Sequence, residues 1–130
     1  MITAIYASLL ALLMCKLAFN VIKARRKNKI KYADGDVVEL QIARTAHSNA
    51  VDYIPISLIL LFILEYNGCN IWLIHLVGIA LVVGRTIHCK GILNESLRGR
   101  ILGMQITFFT IFGLAGLNLI YAPYEKLLLF

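Results

Sequence analysis

Four apolar stretches divide this chain, and the polar and charged residues collect between them. The stretches run from Ile2 to Ile22, from Val37 to Leu64, from Ile71 to about His88, and from Ile101 to Tyr121. Each can cross a hydrocarbon core of about 30 Å as roughly 20 residues of helix. Lipid offers the backbone no hydrogen-bond partners, so a spanning segment must be a helix or part of a closed barrel. The period-two alternation of barrel strands is absent. The pattern therefore predicts one all-α integral membrane domain over 1–130, a four-helix bundle with helices at roughly 2–24, 37–65, 71–89 and 98–122.

The second stretch breaks the apolar rule in its first half. Between Gln41 and Asp52 it carries Arg44, Thr45, His47, Ser48, Asn49 and Asp52, and only then becomes apolar through Tyr53-Ile54-Pro55-Ile56. Ionisable residues at membrane depth are costly unless they face a bundle interior or a wet cavity, so they mark function. At 100° per residue, Gln41, Thr45, Ser48, Asn49 and Asp52 share about one-third of the circumference, Arg44 borders them and His47 lies beyond. The opposite side carries Ala43, Ala46 and Ala50, small residues that let a neighbouring helix approach closely. Pro55 removes one backbone donor within the helix and is expected to loosen or kink it.

Composition agrees with the pattern: 60% of the 130 residues are hydrophobic and 15% charged. The net charge of +6 is distributed unevenly. Lys23 to Lys31 form a basic cluster after the first helix, and Lys90, Arg98 and Arg100 follow the third, whereas Glu65 to Asn70 contain no Lys or Arg. The positive-inside rule then puts both basic loops in the cytoplasm and both termini outside, with Lys126 a weak counter-signal beside Glu125. Anionic head groups are natural neighbours for those loops. The first helix reads as retained rather than as a cleaved signal, because its charges follow the apolar stretch and no small-residue cleavage site ends it. Nucleic-acid binding is not expected, since the basic residues flank helices without interleaved aromatics. Cys15, Cys69 and Cys89 have no metal-ligand spacing, His75 stands alone, and no metal site is expected.

The third helix ends in Gly84-Arg85-Thr86-Ile87-His88, where Arg85 and His88 lie three residues apart and share a face. Arg25 closes the first helix, Arg44 sits on the second, and Arg98 and Arg100 open the fourth, so all four helices deliver basic groups to one half of the bundle. Guanidinium forks bind carboxylates bidentately, which suits an anionic ligand carrying planar carboxylates.

Val21-Ile22-Lys23-Ala24-Arg25-Arg26, Ala46-His47-Ser48-Asn49-Ala50-Val51-Asp52-Tyr53-Ile54-Pro55 and Gly84-Arg85-Thr86-Ile87-His88 together resemble the membrane-associated proteins in eicosanoid and glutathione metabolism, the MAPEG family. Microsomal glutathione transferases, leukotriene C4 synthase and prostaglandin E synthase belong to it. The second segment is similar to the family's Arg-Ala-His-x-Asn-x-x-Glu-Tyr-x-Pro signature. The resemblance implies a homotrimer with glutathione between neighbouring subunits near the cytoplasmic face. It also implies that Arg25, Arg44, His47, Asn49, Asp52, Tyr53, Arg85 and His88 line or adjoin that site, and that Arg98 or Arg100 activates the thiol. A guanidinium beside a thiol favours the thiolate, and lowering the thiol pKa by two takes about 2.7 kcal/mol of differential stabilisation.

Three positions depart from the family pattern. Thr45 stands where the signature has Arg, with Arg44 one residue earlier. Asp52 stands for Glu, and Ile92 stands where several catalytic members have Tyr. Two functions follow. One is a membrane glutathione transferase or peroxidase, using glutathione as co-substrate against lipophilic electrophiles or hydroperoxides arriving from the bilayer. The other is a non-catalytic protein of the same fold that binds a lipid or a partner. A bacterial inner membrane is the expected location, with the endoplasmic reticulum as the alternative.

Overall fold

In the computed structural model, which describes residues 1–124, four helices account for most of the described residues: α1 (Thr3–Asn28), α2 (Val38–Tyr66), α3 (Ile71–Leu93) and α4 (Leu97–Tyr121). All four are long and apolar enough to cross a membrane. Lys126 and Glu125 lie outside the described residues.

Consecutive helices run antiparallel; α1 packs against α2 and α3, and α4 against α3 and α2, while α1 and α4 do not meet within the described residues. The central helices α2 and α3 therefore make most of the frame. Toward the end with the basic loops, Leu10, Leu17, Ala46, Ala50, Ile54, Leu81, Cys89 and Ile92 form one buried cluster. Toward the other end, Tyr6, Leu61, Leu64, Ile74 and Leu114 form a second. Large side chains such as Leu12, Phe19, Phe62, Leu76, Phe109 and Phe112 point outward, as lipid requires. Because lipid is as apolar as the core, helix association here depends on close fit rather than on water exclusion. The alanine face of α2 supplies that fit: Ala43, Ala46 and Ala50 are all buried.

Helix ends follow local chemistry. α1 continues beyond residue 24 through its basic run to Asn28, where Lys29 turns left-handed (φ 56°) and its N–H bonds back to the carbonyls of Arg25 and Arg26. Asn70 caps α3 by accepting from the Trp72 N–H at 2.9 Å, and Ser96 caps α4 by accepting from the Gly99 N–H at 3.3 Å. α3 also runs past residue 89, to Leu93, before a short connection reverses the chain. α2 runs unbroken through Pro55.

Two glycines set how α3 and α4 meet beside the basic loops. A Cβ on Gly91 would stand 2.5 Å from the backbone nitrogen of Arg100 and 2.6 Å from the Gly99 carbonyl carbon. A Cβ on Gly103 would collide with the backbone of His88. The two backbones thus cross in contact, and this crossing places His88 and Arg100 side by side.

Candidate functional site

The polar half of α2 faces a cleft of about 890 Å³ at the end of the bundle that carries the basic loops. Its walls are Val21 and Arg25 from α1, Asp34 from the connecting loop, and Gln41, Arg44, Thr45, His47, Ser48, Asn49, Val51 and Asp52 from α2. Helical spacing explains the wall: the residues opposite the buried alanines are those left to line it. Arg44, Thr45, Ser48 and Asp52 are exposed in the single chain, so this polar surface is not covered by the protein's own helices. Thr45 spends its hydroxyl on the Gln41 carbonyl at 2.8 Å.

Behind the cleft lies Arg85, whose side chain is 0% exposed. Its Nη2 donates to Asn49 Oδ1 at 2.6 Å, and its guanidinium carbon sits 5.5 Å from the centre of the Tyr53 ring. Nε and Nη1 have no hydrogen-bond partner among the described residues. A buried guanidinium left partly unpaired is expensive, by several kcal/mol in order of magnitude. Asn49 therefore serves two sides, with its amide oxygen on Arg85 and its residue in the cleft wall. Tyr53 extends the same chain of contacts: its ring meets Phe108 of α4 edge-on, with centres 5.6 Å apart.

His88 takes a different direction. Its Nδ1 lies 2.8 Å from the Arg100 carbonyl oxygen, which can only accept, so Nδ1 carries the proton. His88, Arg100, Leu97, Ile101, Met104, Gln105 and Phe108 line a second, more apolar cavity of about 350 Å³ on the α3–α4 side. Arg98 is exposed and lines neither cavity.

The sequence expectation of one site is thus divided within the single chain. Arg25, Arg44, His47, Asn49 and Asp52 meet in the large cleft; Arg85 and Tyr53 stand behind it; His88 and Arg100 lie together on the far side of α3. Arg85 and His88 share a helix, yet Arg85 points to α2 and His88 to α4, because α3 is packed between the two. Ile92 is 5% exposed and belongs to the apolar core. His75, without a role in the sequence, hydrogen-bonds to the Tyr6 hydroxyl at 2.6 Å. Asp34 is a cleft residue that the sequence reading misses, since helical periodicity does not extend to a loop. Its only sequence signal is a carboxylate among lysines within the turn-forming run Ala33-Asp34-Gly35-Asp36.

Residues 3–120 match the MAPEG family. The chain belongs to that family. It is similar to the inner membrane protein YecN of Escherichia coli strain K12, with 40% identity over 125 residues, covering 96% of this chain and 95% of the relative. YecN of Escherichia coli O6:H1 matches to the same extent. The MAPEG assignment extends across α1 to α4 and thus includes both cavities.

Proposed function

We propose that this MAPEG protein is a membrane-bound, glutathione-dependent enzyme that transfers the glutathione thiolate to lipophilic electrophiles or reduces lipid hydroperoxides. The observation that carries the reading is the meeting of Arg25, Arg44, His47, Asn49 and Asp52 in one cleft, backed by the partly unpaired Arg85. Glutathione has two carboxylates and one amine. Arg25 and Arg44 offer forks for the carboxylates, Asp52 a counter-charge for the amine, and Asn49 a further hydrogen-bonding group. Tyr53 stiffens Arg85 from behind.

The thiol end belongs with Arg100, which shares a cavity with His88 and several apolar side chains, a suitable meeting place for a lipophilic substrate. In the transfer reaction the thiolate sulfur bonds to the electrophilic carbon, whose leaving group departs with the electron pair. In the peroxidase reaction two glutathione molecules are oxidised to the disulfide, while the hydroperoxide is reduced to alcohol and water. The thiol proton leaves to water, and the guanidinium contributes by favouring the thiolate that remains.

Within one chain Arg25, Arg44 and Asp52 line one cavity and His88 and Arg100 another, and the polar wall of α2 is open. Both observations support a homotrimer in which neighbouring subunits bring the two cavities together. The basic loops lie at one end of the bundle, which supports a cytoplasmic cleft, external termini and, with YecN as a relative, a bacterial inner membrane.

Titrating detergent-purified protein with glutathione at neutral pH, while following the ultraviolet thiolate band, tests the reading. Saturable binding with the band is expected. No binding at millimolar ligand would overturn it and favour the second reading, a non-catalytic lipid- or partner-binding protein. That alternative has its own observation: Ile92 is locked in the core where several catalytic members of the family have a tyrosine hydroxyl.

A further inference from the structure

The two arginines at the mouth of the large cleft are already occupied, by the loop that joins α1 to α2. Arg44 Nη1 lies 3.5 Å from Asp34 Oδ2. Arg25 Nη1 donates to the Lys31 carbonyl oxygen at 3.4 Å. Both distances exceed the roughly 2.7–2.9 Å of a good charge-assisted hydrogen bond. The loop therefore satisfies both cations poorly, and a ligand carboxylate could satisfy them better.

The loop is built to present this carboxylate. Asp34 Oδ1 accepts from the Asp36 N–H at 3.2 Å, and the Asp34 carbonyl accepts from the Val37 N–H at 3.1 Å. One carboxylate oxygen thus holds the turn while the other faces Arg44. Ala33, Gly35 and Asp36 all have positive φ (50°, 57° and 59°), so the chain bends sharply around Asp34. The flanking residues Lys27, Lys29 and Lys31 are all basic and exposed. Asp34, alone in the loop, lines the cleft.

We propose that Asp34 is a specificity-determining residue: its carboxylate occupies Arg44 in place of a ligand's, and an anionic ligand binds by displacing it. This rests on reading the cleft as a carboxylate site. The side chains of Arg44 and Asp34 are 43% and 34% exposed, so the pair is solvent-screened and easily exchanged. Such a pair contributes little to stability. Its consequence is selection: a ligand without a carboxylate at the right place cannot replace Asp34, whereas one with a well-placed carboxylate can.

The test is calorimetric titration of wild type, D34N, D34E, R44Q and D34N/R44Q with two probes, glutathione and the simple dicarboxylate glutarate. The amide introduced by D34N keeps an oxygen for the Asp36 N–H, so the turn is retained while the charge is lost, and circular dichroism checks the fold. D34N is expected to bind both probes about two- to fivefold more tightly than wild type, the range set by an exposed ion pair. D34E should resemble wild type, and D34N/R44Q should show no gain over R44Q. If D34N binds neither probe more tightly, or gains equally without Arg44, the proposal is overturned. A gain for glutarate with glutathione bound by neither protein upholds Asp34's role and rejects the glutathione reading instead.

Discussion

Both ends of this bundle carry polar side chains, but they use them differently. At the end away from the basic loops, the partners are within the chain. The Glu65 carboxylate receives the backbone N–H groups of Ile2 and Thr3 and so caps the start of α1, and the Tyr6 hydroxyl meets His75 Nδ1 at 2.6 Å. The orphans there, among the described residues, are neutral oxygens, Thr3 Oγ1 and Asn118 Oδ1. At the basic end the orphan is a cation: Arg85 is fully buried with two nitrogens unpaired, behind a cleft whose wall is exposed arginine, serine and aspartate. Polar groups that close on one another hold a fold together. Polar groups left open in lipid need something from outside, and that difference separates frame from site.

The sharpest test of that separation is at the start of α4. R100A should lower turnover with glutathione and an aryl halide by about 100-fold, the effect of losing a thiol pKa shift of two. R98A should change it less than about threefold, since Arg98 lines neither cavity. Steady-state kinetics on size-checked protein decide the matter. Equal losses, or no loss in either, would remove Arg100 from the thiol side.

A second test compares two glycine contacts. Gly103 lies against the backbone of His88, whereas Gly78 lies against the ring of Tyr6. A backbone cannot rotate away, so G103A should cost about 1–3 kcal/mol, and G78A less, to the extent that Tyr6 can swing. Denaturant-free thermal unfolding in detergent, read by circular dichroism, ranks them. G103A should also disturb activity, because the same contact sets the His88–Arg100 pair. If G78A proves the more damaging, the Tyr6 ring is as fixed as backbone and the two ends share one rigidity.

The helices and the cleft wall are legible in the sequence for a simple reason: lipid imposes length and apolarity, and 100° spacing fixes which residues of α2 oppose Ala43, Ala46 and Ala50. What is not legible is where α3 sends its side chains. Arg85 and His88 are three residues apart and share a helix face by spacing, but the close glycine crossing draws His88 to α4 while Asn49 holds Arg85 on α2. That outcome depends on tertiary contact, which periodicity does not encode. Asp34 escapes for the opposite reason, being a loop residue whose position comes from a run of left-handed backbone rather than from a repeating face. His75 and Glu65 look unpartnered in the sequence only because their partners lie 69 and 63 residues away.

The smallest expected effects make the most direct contrast between the ends. R85M keeps the volume of a long side chain and removes a buried, half-paired cation; such replacements are often neutral or stabilising, so thermal stability should hold or rise. Glutathione affinity should fall, by up to about tenfold or roughly 1.4 kcal/mol, because Asn49 in the cleft wall loses the Arg85 hydrogen bond that positions it. Y6F should do the reverse. Deleting the hydroxyl removes the bond to His75 at 2.6 Å. That loss costs about 0.5–1.5 kcal/mol of stability, while glutathione affinity stays at the wild-type value because Tyr6 does not line the cleft. Measured side by side, the two variants should move stability and affinity independently. If R85M unfolds the protein as readily as it weakens binding, Arg85 belongs to the frame, and the open cation at the basic end is a structural tie like those at the other.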